Sequence, residues 1–271
     1  MLAPIKDWDD AFANMAHIAG SDALPGVWLE GAAQYRAGVS VETDIAYGDS
    51  PREKLDIVWP ENTPKGLAVF IHGGFWLRLD KSYWTQFAEG ARALGWAVAL
   101  PSYTLAPEAR ISRMTQQMGA AVAHAASRVK GPICLSGHSA GGHLATRLMC
   151  HDSPLDAATR QRIARTMSIS GLHDLRPLMH TKMNEVLRID PAEAVSESPV
   201  LQTPAAATPL TCWVGGGERP EFIRQTQIMA QMWEGLDAPT TCVIDAKHDH
   251  FTVIEGLKDP SSPICQAFVG L

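Results

Sequence analysis

Residues 134–145 read CLSGHSAGGHLA, and the fold turns on them. An apolar run, PICLSG (132–137), ends in Gly137-His138-Ser139-Ala140-Gly141, and a helical stretch, GGHLATRLMCH (141–151), begins at once. A G-x-S-x-G pentapeptide between a strand and a helix is the signature of a nucleophile elbow. A serine at the tip of so tight a turn is held in a strained backbone, and a β-carbon two positions to either side would press strand against helix. Glycine at 137 and 141 removes that crowding. The turn lifts the Ser139 hydroxyl clear of the strand and sets it near the next helix N-terminus, whose partial positive charge favours developing negative charge.

Outward from the elbow, short apolar runs alternate with helical stretches. Upstream, VETDIAYG (41–48) and KLDIVWP (54–60) show partial strand alternation around the turn GDSPRE, which predicts an opening hairpin. GLAVFIHGG, KSYWTQFAEGARALG and WAVALPSY then read as strand, helix, strand, and ISRMTQQMGAAVAHAASRV (111–129) as a helix. Downstream the pattern runs through ARTMSISG (164–171), LTCWVGGG (210–217), EFIRQTQIMAQMWEGL (221–236) and TTCVIDA (240–246), with a short last helix near HFTVIEGL. SPVLQTPAAATP (198–209) reads as a connecting loop. The prediction is an α/β fold with a mostly parallel, eight-stranded sheet and helices on both faces.

A chain of 271 residues built this way is expected to form one domain, residues 1–271. Its 46% hydrophobic and 19% charged content suits a sizeable core. A net charge of −6, with no run of lysine or arginine, argues against nucleic acid and anionic membranes as partners and leaves a small molecule. The start, MLAPIKDWDDAF, carries three aspartates and no apolar core of a signal peptide, and the apolar runs are strand-length, so a cytoplasmic location is expected. The five cysteines, at 134, 150, 212, 242 and 265, form no CxxC pair, which argues against a disulfide framework and a zinc site. No metal or organic cofactor is expected.

In sheets of this kind, ligands sit beyond the carboxyl ends of the strands. After the third predicted strand comes His72-Gly73-Gly74-Phe75-Trp76, where glycines let backbone N–H groups approach a reacting oxygen. Gly73, Gly74 and the amide of Ala140 are the candidate oxyanion-hole donors. Serine needs a histidine base oriented by a carboxylate, and a nucleophile elbow carries them in the order Ser, acid, His. Only His248 and His250 follow the last predicted strand. His250 abuts the apolar stretch FTVIEGL, which would hold its ring, and is preferred to His248. For the acid, Glu218 directly follows the seventh strand, with Asp174 after the sixth as its rival. Glu221 is read as a first-turn residue complementing its helix dipole. His138 and His143 read as packing or surface residues, with His138 close enough to the nucleophile to touch a substrate.

With those residues placed, the chain resembles the α/β-hydrolase superfamily along most of its length. Within it, the HGG loop and SYTLAPE (102–108) resemble the hormone-sensitive-lipase-like esterases. More narrowly, HGGFW, GHSAGGHLA, PEFIRQ and DHFTVIE are similar to the kynurenine formamidase (arylformamidase) group and its bacterial esterase relatives. The resemblance implies Ser139 as nucleophile, His250 as base, and Glu218 where the group commonly has aspartate. It implies cleavage of an ester or aryl formamide through an acyl-enzyme, with a short-chain carboxylesterase and a non-catalytic ligand-binding protein as the alternatives. It also implies a small cap at about 176–208. Phe75, Trp76 and Tyr103 lie in loops at the catalytic edge and read as either an aromatic wall for a flat substrate or ordinary core. Exposed edge strands leave a homodimer open.

Overall fold

The computed structural model describes residues 5–205 and 208–270. Residues 1–4 of the N-terminal start and 206–207 of the 198–209 connector lie outside the described residues. Eight strands, β1 (Val41–Ala46), β2 (Lys54–Val58), β3 (Leu67–Ile71), β4 (Ala97–Pro101), β5 (Ile133–His138), β6 (Ile163–Ile169), β7 (Leu210–Gly215) and β8 (Thr240–Asp245), form one sheet in the order β1-β2-β4-β3-β5-β6-β7-β8. β1 and β2 are the expected antiparallel hairpin, β2 also meets β4 antiparallel, and every other pairing is parallel.

β3, β4 and β5 are buried along their whole length, whereas the edge strands β1 and β8 are largely exposed. Alternation splits the buried strands between two cores: Leu67, Val69 and Ile71 pack into one, Ala68 and Phe70 into the other. That two-sided burial is why these runs lack an obvious polar face in sequence.

The helices are α1 (Trp8–Phe12), α2 (Asn14–His17), α3 (Leu24–Gly38), α4 (Glu89–Ala93), α5 (Ile111–Arg128), α6 (Ala140–Arg147), α7 (Ala157–Gln161), α8 (Asn184–Leu187), α9 (Pro191–Ser196), α10 (Pro220–Glu234) and α11 (Pro263–Val269). Two stretches differ from the sequence reading. KSYWTQFAEGARALG is not one helix but two 3₁₀ turns, 81–83 and 85–88, followed by the short α4. Asp80 caps the first turn through the Ser82 N–H, and Trp84 turns inward to pack at a tilt against Trp28 of α3, ring centroids 4.9 Å apart, so tertiary packing overrides the helical propensity. HFTVIEGL forms turns and a 3₁₀ segment at 255–258. The final helix is α11, with Ser262 accepting from the Cys265 N–H and Pro263 in the first turn.

Two peripheral segments lie against this frame. α1 packs on α10 through Phe12 and Phe222, 6.1 Å apart. The Arg219 guanidinium pairs with Asp10, and the Lys182 N–H donates to Asp9 at 2.7 Å. The 176–208 segment is tied to α5 by Arg110, 2.6 Å from Glu193, and to α6 by Arg147, 3.2 Å from Glu197. Among the described residues, no helix is long and apolar enough to cross a membrane.

Candidate active site

The elbow has the geometry its glycines require. Ser139 joins β5 to α6 at φ 56° and ψ −119°, a backbone that non-glycine residues rarely adopt. A β-carbon at Gly137 would overlap the Gly141 carbonyl, and one at Gly141 would overlap the Ile71 carbonyl. The Ser139 N–H donates to Ile169 at 2.8 Å and its carbonyl accepts from the His143 N–H at 3.1 Å, which pins the turn to β6 and α6.

The loop of residues 72–76 lies against this turn. A β-carbon at Gly73 would come within 3.0 Å of the Ser139 Cβ and 2.9 Å of the His138 carbonyl, so only glycine fits there without displacement. Gly74 holds φ +113°, again a glycine conformation. The N–H groups of Gly73, Gly74 and Ala140 donate to no acceptor among the described residues. Free amides from the end of β3 and the first turn of α6 are thus available to an incoming oxygen.

Glu218 and His250 meet beside the elbow. Glu218 Oε2 accepts from His250 Nδ1 at 2.6 Å, while Oε1 accepts from the Gly215 N–H at 2.8 Å and the Ser170 hydroxyl at 2.5 Å. Three donors saturate a carboxylate whose side chain is 0% exposed, so water does not compete for it. With Nδ1 carrying the proton toward Glu218, Nε2 of the neutral ring is an acceptor. Phe222 packs edge-on to that ring at 4.6 Å. His250 and Ser139 line one cavity, which opens to solvent. No hydrogen bond joins the two side chains among the described residues. An imidazole with one nitrogen on a carboxylate and the other free, in a cavity shared with a strained serine, has the parts for acyl transfer.

The other candidates separate cleanly. His248 is half-exposed and lies 3.8 Å from Asp245, away from Glu218. Asp174 faces Arg176 at 2.9 Å instead of a histidine. Phe75 lines the cavity, as expected of an aromatic wall. Trp76 and Tyr103 do not: both are fully buried, Trp76 edge-on to His143 at 5.2 Å and Tyr103 stacked on His72 at 4.4 Å. The Tyr103 hydroxyl donates to the His72 carbonyl at 3.0 Å, so the pair braces the 72–76 loop from the core and does not line the cavity.

His138 lines the cavity and does more than touch it. Its Nε2 donates to the His250 carbonyl at 2.8 Å, and the two rings lie 4.7 Å apart. Burial, with His250 beside it, holds His138 well below the ordinary histidine range, so it stays neutral beside its neighbour.

Several lining residues escape sequence reasoning. Asn14, Met15, Ser21, Pro25 and Trp28, all from the N-terminal segment, form part of the wall, and the 176–208 segment expected to cap the pocket supplies none of its lining. Trp84 and Phe251 complete the aromatic surface. No local sequence pattern marks these positions, which reach the cavity through contacts between segments far apart in the chain.

Comparison with known proteins agrees with this geometry. A family described as having the alpha/beta hydrolase fold matches residues 68–252. The kynurenine formamidase of Danio rerio is 29% identical over 227 residues, covering 80% of this chain and 76% of its own length. A crystal structure from Silicibacter sp. tm1040, provisionally described as a thioesterase, is 43% identical with a TM-score of 0.92, covering 97% of this chain and 99% of that one. Esterase B of Lactobacillus rhamnosis shares the fold at 18% identity and a TM-score of 0.71, over 94% of this chain and 92% of its own. The family match runs from β3 through the His250 loop and takes in the 72–76 loop, the elbow and Glu218: the chain belongs to the alpha/beta hydrolase fold family.

Proposed function

We propose that this protein is a serine hydrolase that opens a carboxylic ester or an aryl formamide through an acyl-enzyme. The observation that carries the reading is the buried His250–Glu218 pair, 2.6 Å apart, on the wall of the cavity that also holds Ser139. In this reading Ser139 Oγ attacks the acyl carbon as its proton passes to His250 Nε2. Glu218 holds the tautomer and stabilises the imidazolium. The carbonyl oxygen, now negative, is received by the N–H groups of Gly73, Gly74 and Ala140. Collapse breaks the bond to the leaving oxygen or nitrogen, which takes the proton from His250. Water then gives a proton to His250 and attacks the acyl-serine; collapse breaks the bond to Ser139 Oγ, which takes the proton back from His250, and the acid is released.

An aryl substrate is favoured by the walls, where Trp28, Phe75, Trp84 and Phe251 offer flat apolar surfaces. Similarity to the kynurenine formamidases supports the formamide, and similarity to the provisional thioesterase keeps activated esters and thioesters as the second reading. We also place the work in the cytoplasm, which suits five free thiols, four of them buried.

The test is kcat/KM on N-formylkynurenine beside p-nitrophenyl acetate, p-nitrophenyl butyrate and S-phenyl thioacetate, with Ser139→Ala as control. Preference for the formamide establishes an arylformamidase, whereas turnover confined to the esters or the thioester selects the second reading. A wild-type protein that neither turns over any of them nor is labelled by a fluorophosphonate would be a ligand-binding protein instead.

A further inference from the structure

Two donors in the cavity wall lack a strong acceptor among the described residues, the buried amide of Asn14 and the exposed guanidinium of Arg78, and the reaction above does not use them. Asn14 is 3% exposed. Its Oδ1 accepts from the Arg219 N–H at 2.9 Å, which fixes the amide orientation, since a flipped side chain would set two donors face to face. Nδ2 is therefore a true orphan: it is buried and has no partner among the described residues. A buried polar group is normally satisfied, so an orphaned donor in the wall of an open cavity implies an acceptor that arrives with the ligand.

The second donor is Arg78. Its N–H donates to Gly74 at 3.2 Å, so it sits on the turn that carries the oxyanion-loop glycines. Its guanidinium reaches Met15, with Nη2 3.0 Å from Sδ. A thioether is a weak acceptor, and no carboxylate lies within ion-pair distance of Arg78 among the described residues. Met15 follows Asn14 in sequence, and Asn14, Met15 and Arg78 all line the cavity. No aspartate or glutamate lines the cavity, although the chain as a whole carries a net charge of −6. The wall is thus donor-rich and locally positive, beside aromatic faces.

We propose that Asn14 and Arg78 form a subsite for an oxyanion on the substrate, a carboxylate held away from the reacting carbonyl. The planar guanidinium matches a carboxylate with two parallel N–H bonds, and Asn14 supplies a third. The subsite rests on the hydrolase reading only for its relation to the scissile bond. It narrows that reading to acyl aromatics that bear a negative charge, which neutral ester panels would miss.

The experiment compares three aryl acetates with nearly the same leaving group: 3-(4-acetoxyphenyl)propanoate, its primary amide, and 2-(4-acetoxyphenyl)ethylphosphonate. Wild type is expected to favour the propanoate over the amide by about tenfold or more in kcat/KM, mostly through KM. Arg78→Gln should cut that ratio about tenfold, and Arg78→Lys should restore part of it. Asn14→Asp keeps the oxygen that accepts from Arg219 and replaces the orphan donor with a repelling oxygen, so it should lower the ratio at least as far. A ratio near one in wild type, or one unchanged in all variants, overturns the subsite. Preference for the phosphonate overturns the carboxylate assignment and gives the site to a tetrahedral oxyanion. If no acetate is turned over, the hydrolase reading fails first. Calorimetric binding of 3-(4-hydroxyphenyl)propanoate against its amide then decides the subsite alone: a preference lost in Arg78→Gln supports it, and equal binding overturns it.

Discussion

Two histidines two positions apart have opposite surroundings, and the difference is set by what each ring touches. His250 is clamped by Glu218, by Phe222 and by the His138 ring, whereas His248 is half-exposed beside Asp245. His250→Ala is therefore expected to lower kcat by about four to six orders of magnitude, and His248→Ala to leave it nearly unchanged, in steady-state assays on whichever ester proves best. The reverse pattern would transfer the base to His248. Glu218→Gln preserves size but presents an amide to His250 Nδ1, and the wrong tautomer should cost about 10⁴ in kcat with little change in fold. At this scale the residues that come together in the candidate site, Ser139, His250 and Glu218, were legible, because each follows an apolar run. Ser170 was not: its hydroxyl braces Glu218 only because β6 ends in a residue at φ 53° that turns it toward β7, and nothing in SISG announces that. Trp76 and Tyr103 left two readings open for a related reason, since a loop aromatic can turn into the core as readily as toward a ligand, and both turn into the core.

Among the elements, the join between the elbow helix and the 176–208 segment is the most heavily invested in polar contacts. Arg147, on α6, is 4% exposed and lies between Asp152 at 2.6 Å and Glu197 at 3.2 Å, while Glu197 also accepts from Thr115 at 2.7 Å. Burial raises the Glu197 carboxyl above its ordinary value, and Arg147 opposes that shift, so the ion pair keeps a charge where apolar surroundings would remove it. Arg147→Met should cost about 3–5 kcal/mol by leaving Glu197 buried and unpaired. Adding Glu197→Gln should recover a good part of that loss, as read from urea unfolding of both variants. Two independent losses that simply add would mean the residues are not coupled. Strands and the long helices α5 and α10 were readable from periodicity, because burial on one or both faces leaves a regular trace. α1 to α3 were not, since this segment follows the molecule's surface and its contacts, Asp10 with Arg219 and Trp28 with Trp84, join positions far apart in sequence.

Across the whole molecule, burial of histidine sets the response to acid. Of ten histidines, five are buried, and only one of those, His250, faces a carboxylate. Burial lowers His72 to about 4, and His143 and His173 to about 3. Each is lower folded than unfolded, so below the unfolded value of about 6.5 the unfolded chain binds more protons and stability falls as the pH falls. At pH 5 each contributes a loss of about 2 kcal/mol, or about 6 kcal/mol for the three, against a total stability of about 5–15 kcal/mol for a typical domain. His138, also depressed, acts in the same direction. The protein should therefore hold its Tm from pH 8 to about 6.5 and lose it steeply toward pH 5, as followed by calorimetry. His173→Gln tests the cause, because glutamine can still meet the Ser168 hydroxyl, 3.1 Å from His173 Nε2, yet cannot titrate. That variant should show a shallower fall below pH 6.5 even if it starts from a lower Tm. A Tm that is flat to pH 5 in wild type, or a slope that His173→Gln leaves intact, would mean that the buried imidazoles do not govern acid stability and that carboxylates such as Asp80 and Asp249, held below their ordinary values, do.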